Sequence, residues 1–296
     1  MNKSRTRKPI SRRGFIGRAA AGTAGIAFGP VLALTGSELQ NSKWPAGARK
    51  YRFHLIGHAH IDPVWLWPWP EGMAVVHSTF RSALDRMNET PGFAFTASSA
   101  QFYEWVAEND PEMLKEIRKR VEEGRWNVVG GWWVEPDMNI PGGEAMVRQG
   151  LYGQLTLERL LGVRSKVAFN PDSFGHTATL PQIISKQGME NYVFMRPGPR
   201  EKTIEADLFW WESPDGTRVL TYRIPISYND SRSVRNRIEQ VMTQLKDQPF
   251  TTFMSYYGAG DHGGGATKEN IASILEIQSE KDAPPPFVQH TRGIFQ

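Results

Sequence analysis

From about residue 51 onward, short apolar runs alternate with longer stretches in which apolar residues recur every three or four positions. The runs are "YRFHLIG", "FAFTAS", "WNVVGG", "KVAFN", "NYVFM", "RVLTYRI" and "FTTFMSYY". Their length and their content of aromatic and β-branched residues predict strands. Between two of them Asp110 can cap a helix with Pro111 at its first position; Leu114, Ile117 and Val121 then share one face, and Gly124 follows the last turn. A second helix is predicted from about Gly143 to Leu161, ending before Gly162 in the same manner. The alternation predicts an α/β domain with mostly parallel strands, either an open sheet or one closed into a barrel. There is no internal repeat, and the low-complexity patch is confined to Pro284 to Pro286. In sheets of this kind chemistry gathers where strands end and loops begin.

Composition alters this picture mainly at the N-terminus. The chain has 296 residues, 40% of them hydrophobic and 22% charged, enough for one large domain or two small ones. Its sequence pI is about 9.2, yet Lys3, Arg5, Arg7, Lys8, Arg12, Arg13 and Arg18 are followed by a balance of 28 basic against 31 acidic residues, a net charge of −3. A nucleic-acid or anionic-membrane partner thereby loses its main support. The segment "SRRGFIGRAAAGTAGIAFGPVLAL" joins the twin arginines Arg12 and Arg13 to an Ala- and Gly-rich stretch. It resembles a bacterial twin-arginine export signal, which implies a signal over residues 1–36, a linker over 37–50, and a periplasmic or extracellular destination. The apolar stretch is short and weakly apolar for a membrane span, and no clear A-x-A site follows, so a retained anchor stays open. With no cysteine, disulfides, thiolate metal sites and thiol nucleophiles are excluded.

Two stretches carry candidate chemistry. His58, His60 and Asp62, in "GHAHIDPVWLWP", alternate at the end of the first predicted strand, so in extended backbone they point to one face. Imidazole and carboxylate are suitable zinc ligands, and two on one rigid strand need little ordering to converge. The plainer alternative is a hydrogen-bonded polar cluster at a strand end. In "FNPDSFGHTATLPQI", Asp172 follows the strand "KVAFN" and precedes a loop punctuated by Gly175 and Pro181. Beside a cation its carboxylate would stay ionised and could act as ligand or nucleophile; alone, it reads equally as a turn or cap residue.

With "SSAQFYEW", "EEGRWNVVGGWWVEPDMNIPGGEAMVRQ", "PDGTRVLTYRIP" and "YYGAGDHGGGATK", these stretches resemble the catalytic domain of the glycoside hydrolase family 38 α-mannosidases, from about Tyr51 to His290. The resemblance implies a (β/α)7-type barrel-like domain over 51–296 and a retaining α-mannosidase acting on mannose-containing glycans. It implies zinc, or in some members cobalt or calcium, held by His60, Asp62 and Asp172, with Asp172 also the covalent nucleophile. It implies Trp65 as the indole stacking on the pyranose, Arg196 and Tyr222 as contacts to sugar hydroxyls or the nucleophile, and Asp261 as general acid. Trp67 and Trp69 read as core or wall residues. His58 reads as either a partner orienting a ligand or a packed histidine.

The sequence departs from the family pattern in two places. Members that carry their acid at Asp261 have two adjacent aspartates and use the second, where this chain has His262, so Glu135 and Asp137 are the reserves. Family members also continue into a helical bundle that supplies a further zinc histidine and then into β-rich domains, whereas this sequence stops at "QHTRGIFQ"; His176 and His262 could stand in, or a separate chain could complete the domain. A catalytically incomplete metal- or sugar-binding remnant is therefore the alternative. A zinc deacetylase reading draws on "HAH" followed by aspartate, but explains neither the "DSFGH" loop nor the tryptophans.

Overall fold

The first strand, β1 (Arg52–His58), is covered on both faces. Phe53 and Leu55 enter one apolar cluster, while Ile56, offset by one residue, enters another. This is why the strand reads as a nearly continuous apolar run. In this computed structural model, which describes residues 44–229 and 233–285, eight strands and seven α-helices follow from that arrangement. After β1 come α1 (Trp69–Glu89), β2 (Phe95–Ala97), α2 (Ala100–Asn109), α3 (Pro111–Glu122), β3 (Trp126–Val128) and α4 (Gly143–Leu161). The second half adds β4 (Val167–Asn170), α5 (Leu180–Lys186), β5 (Asn191–Phe194), β6 (Leu208–Glu212), β7 (Arg218–Arg223), α6 (Val234–Gln244), β8 (Thr252–Tyr257) and α7 (Lys268–Ser279). The proposed export signal and the end of the chain lie outside the described residues.

The strands form two four-stranded sheets, ordered β3-β2-β1-β8 and β4-β5-β7-β6. Every pairing is parallel except β6 with β7. All seven strand candidates are present, and β6 is an additional one, the edge partner of a hairpin. The strand pairing does not run on as a single closed ladder. At one seam Gly130 N–H, just past β3, donates to Val167 O at 2.8 Å. At the other the Tyr222 hydroxyl donates to Met254 O at 3.1 Å and accepts from Met254 N–H at 3.2 Å, joining β7 to β8. Between the sheets Ile56, Val129, Phe169, Val193, Tyr222, Met254 and Tyr256 form a shared core. Phe53, Phe80, Tyr103, Trp126 and Phe253 belong to the larger cluster that packs the helices against the first sheet.

The two helices expected from sequence are present. Asp110 accepts from Met113 N–H at 3.0 Å and caps α3, which starts at Pro111. α4 ends at Gly162, whose φ of 71° is cheap for glycine and strained for any other residue.

Candidate metal and sugar site

The chemistry-bearing residues lie on the loops at the C-terminal ends of the parallel strands. His60 and Asp62 follow β1, Glu135 follows β3, Asp172 follows β4, Arg196 follows β5, Tyr228 follows β7 and Asp261 follows β8. β1 and β8 pair in parallel from Arg52–Thr252 to Gly57–Tyr257, and the pairing reaches into the loops: Ile61 bridges to Asp261, and Asp62 N–H donates to Asp261 O at 2.9 Å. Backbone hydrogen bonds therefore bring Asp261 alongside the His-x-Asp pair.

His60, Asp62 and Asp172 each offer one ligand atom, and these atoms lie within 4.8 Å of one another. His60 Nε2 is 3.3 Å from Asp62 Oδ1 and 4.0 Å from Asp172 Oδ2, while its Nδ1 is 3.2 Å from Glu135 Oε2. Burial alone would lower the His60 pKa, but the charge of Glu135 and the hydrogen bonds to Asp62 and Glu135 outweigh it, and the pKa is pushed up to about 10. Three carboxylates around one buried ring thus favour positive charge at this spot. The donor set, one imidazole nitrogen and two carboxylates, suits a divalent ion that would displace the proton on Nε2. His60 is buried, whereas Asp62 and Asp172 keep 26% and 21% of their side chains exposed, so the open side of the group is lined by carboxylates.

Arg196 donates from Nε to Asp172 Oδ1, and its guanidinium lies 5.1 Å from the centre of the Phe174 ring. Tyr228, which the sequence reading missed, packs its ring 4.7 Å from that of His60 and hydrogen-bonds both Asp172 and Arg196. Burial, followed by the charges of Asp172 and Asp261, pushes the Tyr228 pKa up, so its hydroxyl stays protonated. The expected tyrosine contact requires correction: Tyr222 is fully buried between β7 and β8, with its hydroxyl engaged by the Met254 backbone. Both tyrosines sit in or just after β7, and a side chain's place along an apolar strand does not show whether a later loop residue folds back over the strand ends.

Trp65 is 61% exposed, edge-on to Trp67 at 5.7 Å. Trp67 donates from its indole N–H to Asp62 O at 3.0 Å and meets the His262 ring at 4.3 Å, so it braces the loop. Trp69 is exposed at the start of α1.

Asp261 holds a left-handed backbone conformation, φ 64°, which for a non-glycine residue persists only where its surroundings enforce it. Its Oδ1 accepts from Asn229 Nδ2 at 2.5 Å. A Cβ at Gly260 would sit 1.8 Å from Asn229 Oδ1, so glycine is needed to let that amide approach. Of the reserve acids, Glu135 faces His60, and Asp137 accepts from Asn139 and Ile140 N–H in a turn. Of the reserve ligands, His176 lies 2.7 Å from Arg196 O and 3.0 Å from the Tyr192 hydroxyl, and His262 lies 2.8 Å from Glu71. His58 is sealed in the shared core against Phe169 and Tyr256, 3.1 Å from Thr96 O, with its pKa lowered to about 3 chiefly by burial.

Alpha-mannosidase G of Dictyostelium discoideum is 36% identical over 235 residues, 79% of this chain and 22% of that protein. Alpha-mannosidase 2C1 of Homo sapiens is 32% identical over 254 residues, 84% of this chain and 24% of that protein. The chain therefore spans about a quarter of the length of these curated relatives. The solved structure of an alpha-mannosidase from Enterococcus faecalis V583 shares the fold, with a TM-score of 0.68 at 19% identity, over 80% of this chain and 28% of that one. The family model for the glycosyl hydrolases family 38 N-terminal domain matches residues 50–294, and the chain belongs to that family.

Proposed function

We propose that this chain is the metal-binding, nucleophile-bearing part of a retaining α-mannosidase that uses zinc and acts on mannose-containing glycans. The observation that carries the reading is the convergence of His60, Asp62 and Asp172 within 4.8 Å, with Arg196 paired to Asp172. The donor set fits zinc, and calcium or cobalt are the alternatives to compare. Held by His60, Asp62 and Asp172, such an ion would supply Lewis-acid chemistry for orienting a hydroxyl-rich sugar, a role that would suit mannose with its cis 2- and 3-hydroxyls.

The residues themselves perform the transfer. Asp172 attacks the anomeric carbon, forming a carboxylate–sugar ester as the bond to the leaving oxygen breaks, and Asp261 gives that oxygen its proton. Water then attacks the anomeric carbon, Asp261 takes the water proton, and Asp172 leaves as carboxylate, so configuration is retained. Arg196 and Tyr228 both hydrogen-bond the Asp172 carboxylate and fix its orientation. Trp65 presents an exposed indole to the apolar side of the sugar. Export through the twin-arginine route belongs to the same proposal and rests on Arg12 and Arg13; replacing both with lysine should retain a reporter fusion in the cytoplasm, and continued export would count against it.

The test compares the wild-type chain and Asp172→Ala on an aryl α-mannoside with zinc, cobalt or calcium added. Turnover by wild type and its loss in the variant is the expected result. Equal background rates for both would reject catalysis by this chain and favour the second reading, a metal- or sugar-binding domain without turnover. That reading draws on the short donor set: among the described residues the group that could hold a metal has three members.

A further inference from the structure

We infer that Glu135 is a positioning residue that sets the orientation of two candidate ligands at once, turning the Nε2 edge of His60 toward the ion and fixing the loop that carries Asp172. The inference rests on the metal reading above. Glu135 Oε2 is 3.2 Å from His60 Nδ1, and its other oxygen, Oε1, accepts the Asp172 backbone N–H at 2.8 Å. One carboxylate thus spans residues that follow β1 and β4, strands of different sheets. A carboxylate beside Nδ1 keeps the proton there, leaving Nε2 as the lone-pair nitrogen and fixing the plane of the ring.

The loop holding Glu135 is itself pinned, as a device that sets another residue's orientation must be. Asn170, fully buried at the end of β4, donates from Nδ2 to Pro136 O at 2.7 Å. Val134 N–H donates to Gln149 Oε1 of α4 at 3.1 Å, and Thr177 N–H donates to Met138 O at 2.9 Å. Both bonds made by Glu135 require it to accept. Glutamine has nearly the same shape but only one accepting oxygen, so Glu135→Gln can accept from only one of the two groups; with that oxygen on the Asp172 N–H, its NH2 faces His60 Nδ1 as a donor and favours the proton on Nε2, the wrong tautomer for a ligand.

The measurement is zinc affinity of the purified chain, by competition with a chromophoric chelator, for wild type, Glu135→Gln and Glu135→Ala, with the thermal midpoint of each metal-free protein recorded alongside. Removing a group that orients a ligand weakens metal binding by about 10- to 100-fold, and that loss is expected in both variants, with a metal-free midpoint near that of wild type for Glu135→Gln. Wild-type zinc affinity in Glu135→Gln, whether or not its midpoint falls, would make Glu135 a loop brace only and overturn the inference. A wild-type chain that takes up no zinc would fail the metal reading itself. Should both variants fail to fold, nitrogen-15 histidine spectra of the zinc-loaded wild type decide the question: a protonated Nδ1 on His60 is expected, and a metal-bound or unprotonated Nδ1 would overturn the inference.

Discussion

At the residue scale, the site is a set of charges that would repel one another without a cation and without Arg196. The role of Asp261 can be separated from that of Asp172 by the leaving group. Asp261→Asn should lower the hydrolysis of an alkyl mannoside, whose leaving oxygen needs a proton, by about 10²- to 10⁴-fold, and should spare the bond-breaking step for an aryl mannoside with an acidic phenol. Equal losses on the two substrates would exclude Asp261 as the acid. His176 offers a stability test. Its Nε2 donates to the Arg196 carbonyl, and in the neutral ring Nδ1 accepts from the Tyr192 hydroxyl. Burial, the largest cause, lowers its pKa below the ordinary 6.5. Below that value the unfolded chain binds the extra proton, so stability falls as pH drops from 6.5 towards the folded pKa. His176→Gln, which keeps a donor and an acceptor, should show a shallower fall in urea-unfolding free energy over that range than wild type; identical slopes would show that the ring does not contribute. The alternation of His58, His60 and Asp62 at a strand end marks that stretch in the sequence as a candidate metal site, whereas the choice of His60, Asp62 and Asp172 as the ligand set comes from the family resemblance. Tyr228, Asn229 and the orienting position of Glu135 carry no such mark, because each acts through a loop folding onto another strand's end.

At the scale of elements, parallel pairing explains why residues far apart in sequence meet. The β1–β8 ladder runs on into the bridge between Ile61 and Asp261, and the pinned loop after β3 brings Glu135 to Asp172 after β4. The buried strands were legible because covering on both faces makes them continuously apolar. β6 was not, since it is a hairpin edge with a mixed pattern, Trp210 being 63% exposed. This hairpin is tied down by a buried ion pair: Arg223 Nε donates to Asp207 Oδ1 at 2.6 Å and Nη1 to Lys202 O at 2.7 Å. Burial raises the Asp207 pKa against the opposing pull of Arg223. Asp207→Ala leaves the guanidinium buried without its partner and should cost about 3–5 kcal/mol in urea unfolding. A loss well under 1 kcal/mol would mean that the pair is solvated in solution.

For the whole molecule, the shared core between the two sheets explains how the strand ends are gathered on one side. The sequence pattern predicted parallel strands and left open the choice between an open sheet and a barrel. The two four-stranded sheets meet at seams made by one backbone hydrogen bond and one tyrosine hydroxyl, neither of which leaves a periodic trace. No helix among the described residues is long and apolar enough to cross a membrane. Because the candidate ligands come from both sheets, an ion bound there joins them, and binding to the folded state alone raises stability by mass action. Zinc at about 100 times its dissociation constant should add about 2.7 kcal/mol, raising the thermal midpoint, and a chelator should reverse the gain; an unchanged midpoint would argue against a folded-state site.

The most direct measurement is an anomalous difference map, collected at the zinc absorption edge, from zinc-soaked crystals of the chain. One peak is expected within about 2.0–2.2 Å of His60 Nε2 and of a carboxylate oxygen from each of Asp62 and Asp172. A map with no peak among these three side chains, or with zinc bound only elsewhere, would contradict the account.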